Sequence, residues 1–135
     1  MTVALVDDEP TGLATIVGDL IEQNLKRDPA RLRLLRPTVA SIAATEAEVS
    51  ITIAIAPGRV VISGGRSASA HVAITADPHR LMELIAAPLR FGLPDVLDPR
   101  GRAVLAGVAT RRVRIRGLLR HPRRVARLSA LLSVA

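Results

Sequence analysis

Ten arginines fall between Arg100 and Arg127, and no Asp or Glu interrupts them. The chemistry open to such a run is anion binding. A guanidinium is permanently charged and planar, and its fork of N–H donors matches carboxylate and phosphate oxygens. Arg112, Arg114 and Arg116 alternate with Val113 and Ile115 as a strand would, while Arg120, Arg123, Arg124 and Arg127 follow at helical spacing. The formal net charge is +7, yet the first half of the chain is slightly acidic, so the positive charge is local. Such asymmetry points to an anionic partner, either nucleic-acid phosphates or membrane head groups.

Other chemistries fare less well. Asp7-Asp8-Glu9 follows an apolar Val3–Val6, an arrangement that in phosphoacceptor receiver domains holds Mg²⁺. That chemistry needs a further Asp and a Lys at later strand ends. No Asp occurs between Asp28 and Asp77, and Lys26 is the sole lysine, so the acids read as a helix cap. His71, His79 and His121 stand far apart, with no pair at metal-ligand spacing. The absence of Cys excludes disulfides and thiol nucleophiles. Ser63-Gly64-Gly65-Arg66 lacks the Lys-Ser/Thr ending of a phosphate loop and reads as a turn. With no nucleophile elbow or clustered carboxylates, the expectation is a protein that is not an enzyme, with no catalytic residues, metal or cofactor.

The elements that must position the arginines follow from periodicity. Leu13, Ile16, Val17, Leu20, Ile21 and Leu25 mark one stripe of a helix, with Asp8 as N-cap and Asp28-Pro29 as its stop. Ala30–Leu35 predicts a further helical turn or two. Val39–Ala44 is a small, Ala-rich strand. Val49, Ile51, Ile53 and Ile55 alternate with Ser50, Thr52, Ala54 and Ala56, a strand with one apolar face. Pro57-Gly58 turns the chain into Arg59–Ser63, giving an antiparallel meander. Gly64–Ser69 is a polar loop and His71–Thr75 a fourth strand. Asp77-Pro78 opens a second helix with Leu81, Leu84 and Ile85 on its inner side. Phe91–Gly101 is apolar and irregular, Arg102–Val108 a short helix, Arg112–Arg116 a fifth strand, and Pro122 begins the last helix. Residues 1–135 are expected to form one domain, with a core of Val, Ile, Leu and Ala, since Phe91 is the only aromatic.

No basic leader or stretch of about 18 apolar residues is visible, so a cytoplasmic protein without a membrane span is expected. The Ala-rich, Arg-over-Lys composition fits a GC-rich bacterial genome.

The order of these elements resembles the sterol carrier protein type 2 family, the nonspecific lipid-transfer domain. Ile74-Thr75-Ala76-Asp77-Pro78-His79-Arg80-Leu81-Met82-Glu83-Leu84 is similar to the family's strand-to-helix junction. Val113-Arg114-Ile115-Arg116-Gly117 with Val125-Ala126-Arg127-Leu128 is similar to its last strand, glycine and closing helix. Leu118 departs from the family, which often has an acid there, and Ser133-Val134-Ala135 is no peroxisomal address. The resemblance implies an α+β fold: a five-stranded, mostly antiparallel sheet covered on one face by helices, with a tunnel for sterols, acyl chains or other lipids.

Composition and resemblance together lead to non-enzymatic binding or transfer of an apolar small molecule or lipid. The expected tunnel walls are Ile51, Ile53 and Ile55 from the central strand, Leu81, Leu84 and Ile85 from the helix above, and Leu128 and Leu132 from the closing helix. Phe91, Leu93, Val96 and Leu97 would form a cover. The same residues could instead pack as a solid core. Arg112, Arg114, Arg116, Arg120, Arg123, Arg124 and Arg127 would contact an anionic membrane surface, with Val125, Leu128, Leu131 and Leu132 as the apolar side of an interfacial helix. A nucleic-acid accessory protein is the competing class. It ranks lower because sheet-based readers stack bases on aromatics, and these strands have none. A structural or interaction module is the third.

Overall fold

The computed structural model describes residues 2–6, 12–45, 48–81, 89–90, 93–94, 99, 102, 106, 113–117 and 119–133. Strand β1 (Thr2–Leu5) leads to helix α1 (Gly12–Arg27) and a 3₁₀ helix (Pro29–Leu34). Strands β2 (Thr38–Ala44), β3 (Val49–Ala56), β4 (Arg59–Gly64) and β5 (Val72–Ala76) follow. After them come the short β6 (Leu89–Arg90) and β7 (Leu93–Pro94), then β8 (Val113–Arg116) and helix α2 (Pro122–Leu132).

The alternating runs form the predicted β2–β3–β4 antiparallel meander, with Ile53 opposite both Ala40 and Ile62. The sheet nevertheless has six strands where five were expected, in the order β1-β4-β3-β2-β5-β8. The extra strand is β1, whose four residues pair parallel with β4, Val3 beside Val60 and Leu5 beside Ile62. Nor is the sheet mostly antiparallel: β2 and β5 also pair in parallel, making it mixed. A parallel neighbour requires a crossover, and here the polar 65–71 loop supplies it, carrying the chain past β3 and β2 to reach β5.

Period-two registry sorts the side chains into two faces. On one, Ile62, Ile53, Ala40 and Val72 line up across four strands, and Ile51, Ile42, Ile74 and Ile115 across another four. These residues share one cluster with Val17, Ile21 and Leu25 of α1 and Val125, Leu128 and Leu131 of α2. Burying each aliphatic side chain stabilises the fold by about 1.5–3 kcal/mol. The α1 stripe is shifted from the one predicted. Ile16 is 56% exposed, whereas Ala14 and Asn24 are buried. The reason is that helix and sheet meet along the Ala14–Val17–Ile21 line, a third of a turn away from Ile16.

Asp77 caps the helix it was expected to start: its carboxylate accepts the Arg80 N–H at 2.8 Å, and residues 78–81 are helical. The predicted cap at Asp8 lies outside the described residues. No helix among the described residues is long and apolar enough to cross a membrane.

Candidate functional site: an apolar face and an arginine-rimmed face

The helix-covered face brings together part of the predicted tunnel wall. Ile51, Ile53, Ile55, Leu81, Leu128 and Leu132 all belong to the single buried cluster. Ile51 and Ile53 have no exposed surface and Leu128 has almost none. Leu84, Ile85, Phe91, Val96 and Leu97 lie outside the described residues, and Leu93 sits in β7.

Helix α2 corrects one expectation. Val125, Leu128, Leu131 and Leu132, proposed as the side that enters a membrane interface, are buried against α1 and the sheet. A helix whose apolar stripe already closes the core cannot also offer it to lipid. Among the described residues, the large apolar side chain left free near the arginines is Leu119, 97% exposed in the turn between β8 and α2.

The opposite face of the sheet is small and polar. In register across it stand Thr52, Ser41, Ala73 and Arg116, and beside them Ser50, Ala43, Thr75 and Arg114. The crossover loop is fastened above these rows. Gly65 N–H donates to the Ser50 carbonyl at 2.9 Å, the Thr52 hydroxyl donates to the Gly65 carbonyl at 2.7 Å, and Ser67 N–H donates to Ser41 Oγ at 3.2 Å. Between this loop and β8 lies a depression of about 460 Å³ lined by Arg66, Arg114 and Arg116. Sequence reasoning placed Arg114 and Arg116 but missed Arg66 and Ser41. The Ser63-Gly64-Gly65-Arg66 turn carries no signal that it folds back over the sheet. Arg112 lies outside the described residues.

At the β8 edge a second groove, of about 730 Å³, is bordered by His71, Arg116, Leu119, Arg120 and His121. The two imidazoles meet edge to face with centroids 5.4 Å apart. His71 Nδ1 accepts the Val39 N–H at 3.0 Å, so the proton of the neutral ring sits on Nε2. Desolvation, followed by Arg124, His71 and Arg120, lowers the pKa of His121 below the ordinary histidine value. On α2, burial and the neighbouring Arg124, Arg36 and Arg123 lower that of Arg127, whose Nε is buried with no hydrogen-bond partner among the described residues. These charges crowd one another. Among the described residues no three His, Asp or Glu side chains gather as a metal site would require.

No protein-family model matches the chain, and no curated protein does. A solved structure does: UbiJ-SCP2, a ubiquinone synthesis protein, superimposes with a TM-score of 0.62 at 16% identity, covering 89% of this chain and 92% of that one. The chain has the SCP2-like fold. Where they are described, both stretches that carried the resemblance take the expected form. β5 runs through Asp77 into a helix, and β8 runs through Gly117 into α2. Within this SCP2-like frame the aliphatic face lies under the described helices, and Arg66, Arg114 and Arg116 stand on the other side of the sheet.

Proposed function

We propose that this chain is a non-catalytic, cytoplasmic protein that binds or transfers an apolar ligand, a lipid, fatty acyl or sterol-like molecule, in a tunnel between sheet and helices. The observation that carries this reading is the continuous aliphatic face of the SCP2-like sheet. Two rows of Ile, Val and Ala cross four strands each beneath α1 and α2. A surface of that kind rewards any apolar molecule that enters it by about 25 cal/mol per Å² removed from water, less the cost of ordering the ligand. The neighbour's part in ubiquinone synthesis makes an apolar quinone a ligand class worth including. The arginine-rich end, with Leu119 projecting from it, would draw the loaded protein to anionic lipid surfaces.

Native mass spectrometry of gently purified protein, followed by organic extraction and lipid analysis, tests the reading. A discrete adduct of lipid mass is expected. A clean apo mass together with no uptake of fluorescent fatty acids, sterols or quinones would leave a solid core and end the proposal.

A further inference from the structure

We propose that the outer face of the sheet carries a second site, one that takes a phosphate or diphosphate group between Arg66 on the crossover loop and Arg114 and Arg116 on β8. The site lies on the far side of the sheet from the apolar face, so it does not rest on the lipid-binding reading.

The floor comes first. The neighbouring strands β2 and β5 present Ser41, Ala43, Ala73 and Thr75 to this face. Nothing longer than a threonine rises from them, so a hollow remains wherever taller groups stand at its borders. One border is β8, where register sets Arg114 beside Thr75 and Arg116 beside Ala73. Two residues apart on one strand, these arginines rise from the same face at a spacing of roughly 6.5–7 Å. The other border is the loop, fastened to Ser41, Ser50 and Thr52 by the hydrogen bonds given above, which delivers Arg66 to the far side. The hollow is about 460 Å³.

Electrostatics then selects the occupant. Ion pairs among the described residues join Lys26 to Glu22 and Arg31 to Asp28, both on α1 and the 3₁₀ turn, away from this face. Among the described residues, no acidic side chain lines the hollow. Three guanidinium groups around one cavity oppose each other until an anion enters. A phosphate carrying between one and two negative charges, with oxygens on several sides, answers three forks better than a single carboxylate. Among the described residues no aromatic side chain lines the hollow, so none of them offers the rest of the ligand a stacking surface. The chemical class is therefore a phosphorylated small molecule or the phosphate of a lipid head group.

Isothermal titration of the full chain with inorganic pyrophosphate tests the free ligand, and co-sedimentation with phosphatidylcholine vesicles with and without phosphatidic acid tests the head group. Both arms use wild type, Arg66→Gln, the pair Arg114→Gln/Arg116→Gln, and the pair Arg33→Gln/Arg59→Gln, which removes the same charge from exposed positions elsewhere. Losing the charge-assisted hydrogen bonds of two guanidinium groups should weaken binding by roughly a hundredfold in the β8 pair, with Arg66→Gln weakened by roughly tenfold. The Arg33/Arg59 pair should stay close to wild type. Binding that follows this pattern in either arm supports the site and names its source. Absence of binding in both arms, or equal weakening of the two pairs, overturns it. Thermal unfolding of each variant guards against loss through misfolding.

Discussion

The side-chain amide of Asn24 donates a 2.9 Å hydrogen bond to the backbone carbonyl of Leu131, tying α1 to the end of α2 across 107 residues. Leu131 lies in the last turn of α2, where carbonyls have no intrahelical donor, so a side chain from another helix serves as the cap. Asn24 is itself buried, and its Oδ1 accepts from Arg27 Nη2 at 3.2 Å, so both ends of the amide are satisfied. One residue beyond the helix, Arg31 Nη1 donates to the Ser133 carbonyl at 2.6 Å. Asn24→Ala leaves the Leu131 carbonyl buried and unpaired, which should lower stability by about 1–3 kcal/mol in urea unfolding. An unchanged midpoint would mean that water reaches that carbonyl and the link carries nothing.

Gly117 ends β8 at φ +91°, and a Cβ there would strike the backbone carbonyl of His71. Two penalties add: left-handed backbone of a kind that costs a non-glycine residue roughly 1–3 kcal/mol, and a collision with main chain that has no rotamer to yield. Gly117→Ala should therefore cost at least about 2 kcal/mol. It should also loosen the turn that sets Leu119 and Arg120 in place. Chemical denaturation measures the first effect, and amide exchange at Val113–Arg116 the second. Wild-type exchange in β8 would show that the close approach relaxes freely.

Much of this architecture was legible because the sheet's two faces have different chemistry. Ile51, Ile53 and Ile55 could only alternate, and Asp77-Pro78 could only open a helix. β1 escaped notice because four apolar residues before an acidic triplet carry no period of their own. It becomes a strand through pairing with β4, a long-range fact. The same limit hid Arg66: where a polar loop travels depends on the order of strands it must cross, and local sequence does not encode that order. Asn24 was invisible for a related reason, since a polar residue on an apolar stripe looks exposed until its distant partner is known.

His121 should make stability depend on pH, with a sign set by its lowered pKa. Its pKa is lowered in the fold by desolvation and then by Arg124, His71 and Arg120, so the unfolded chain holds the proton to higher pH than the folded one. Where the unfolded state binds more protons, stability rises with pH. The contribution is complete above the unfolded histidine value near 6.5 and is lost as pH falls below it toward the depressed folded value. The position agrees, because His121 is the N-cap of α2 and a cation there opposes the helix dipole. Melting temperature should fall between pH 7 and pH 5, and His121→Gln should flatten part of that slope. Parallel slopes for variant and wild type would assign the effect elsewhere.

Attraction to anionic lipid should depend on the α2 arginines and on Leu119 in different ways. Arg123 is exposed and Arg124 half-buried on the first turn of α2, and Leu119 projects from the turn before it. A basic residue near an anionic surface contributes about 1 kcal/mol, so Arg123→Gln/Arg124→Gln should weaken vesicle binding by roughly thirtyfold at low salt. That difference should shrink as salt screens the charges. Leu119→Asp removes apolar insertion, so its loss should persist at salt levels where the arginine variant no longer differs from wild type. Co-sedimentation with vesicles of mixed anionic and zwitterionic lipid, read across a salt series, separates the two. Failure of the wild-type chain to bind such vesicles at low ionic strength, with retention of DNA or RNA on a steep salt slope instead, would assign the arginines to nucleic acid.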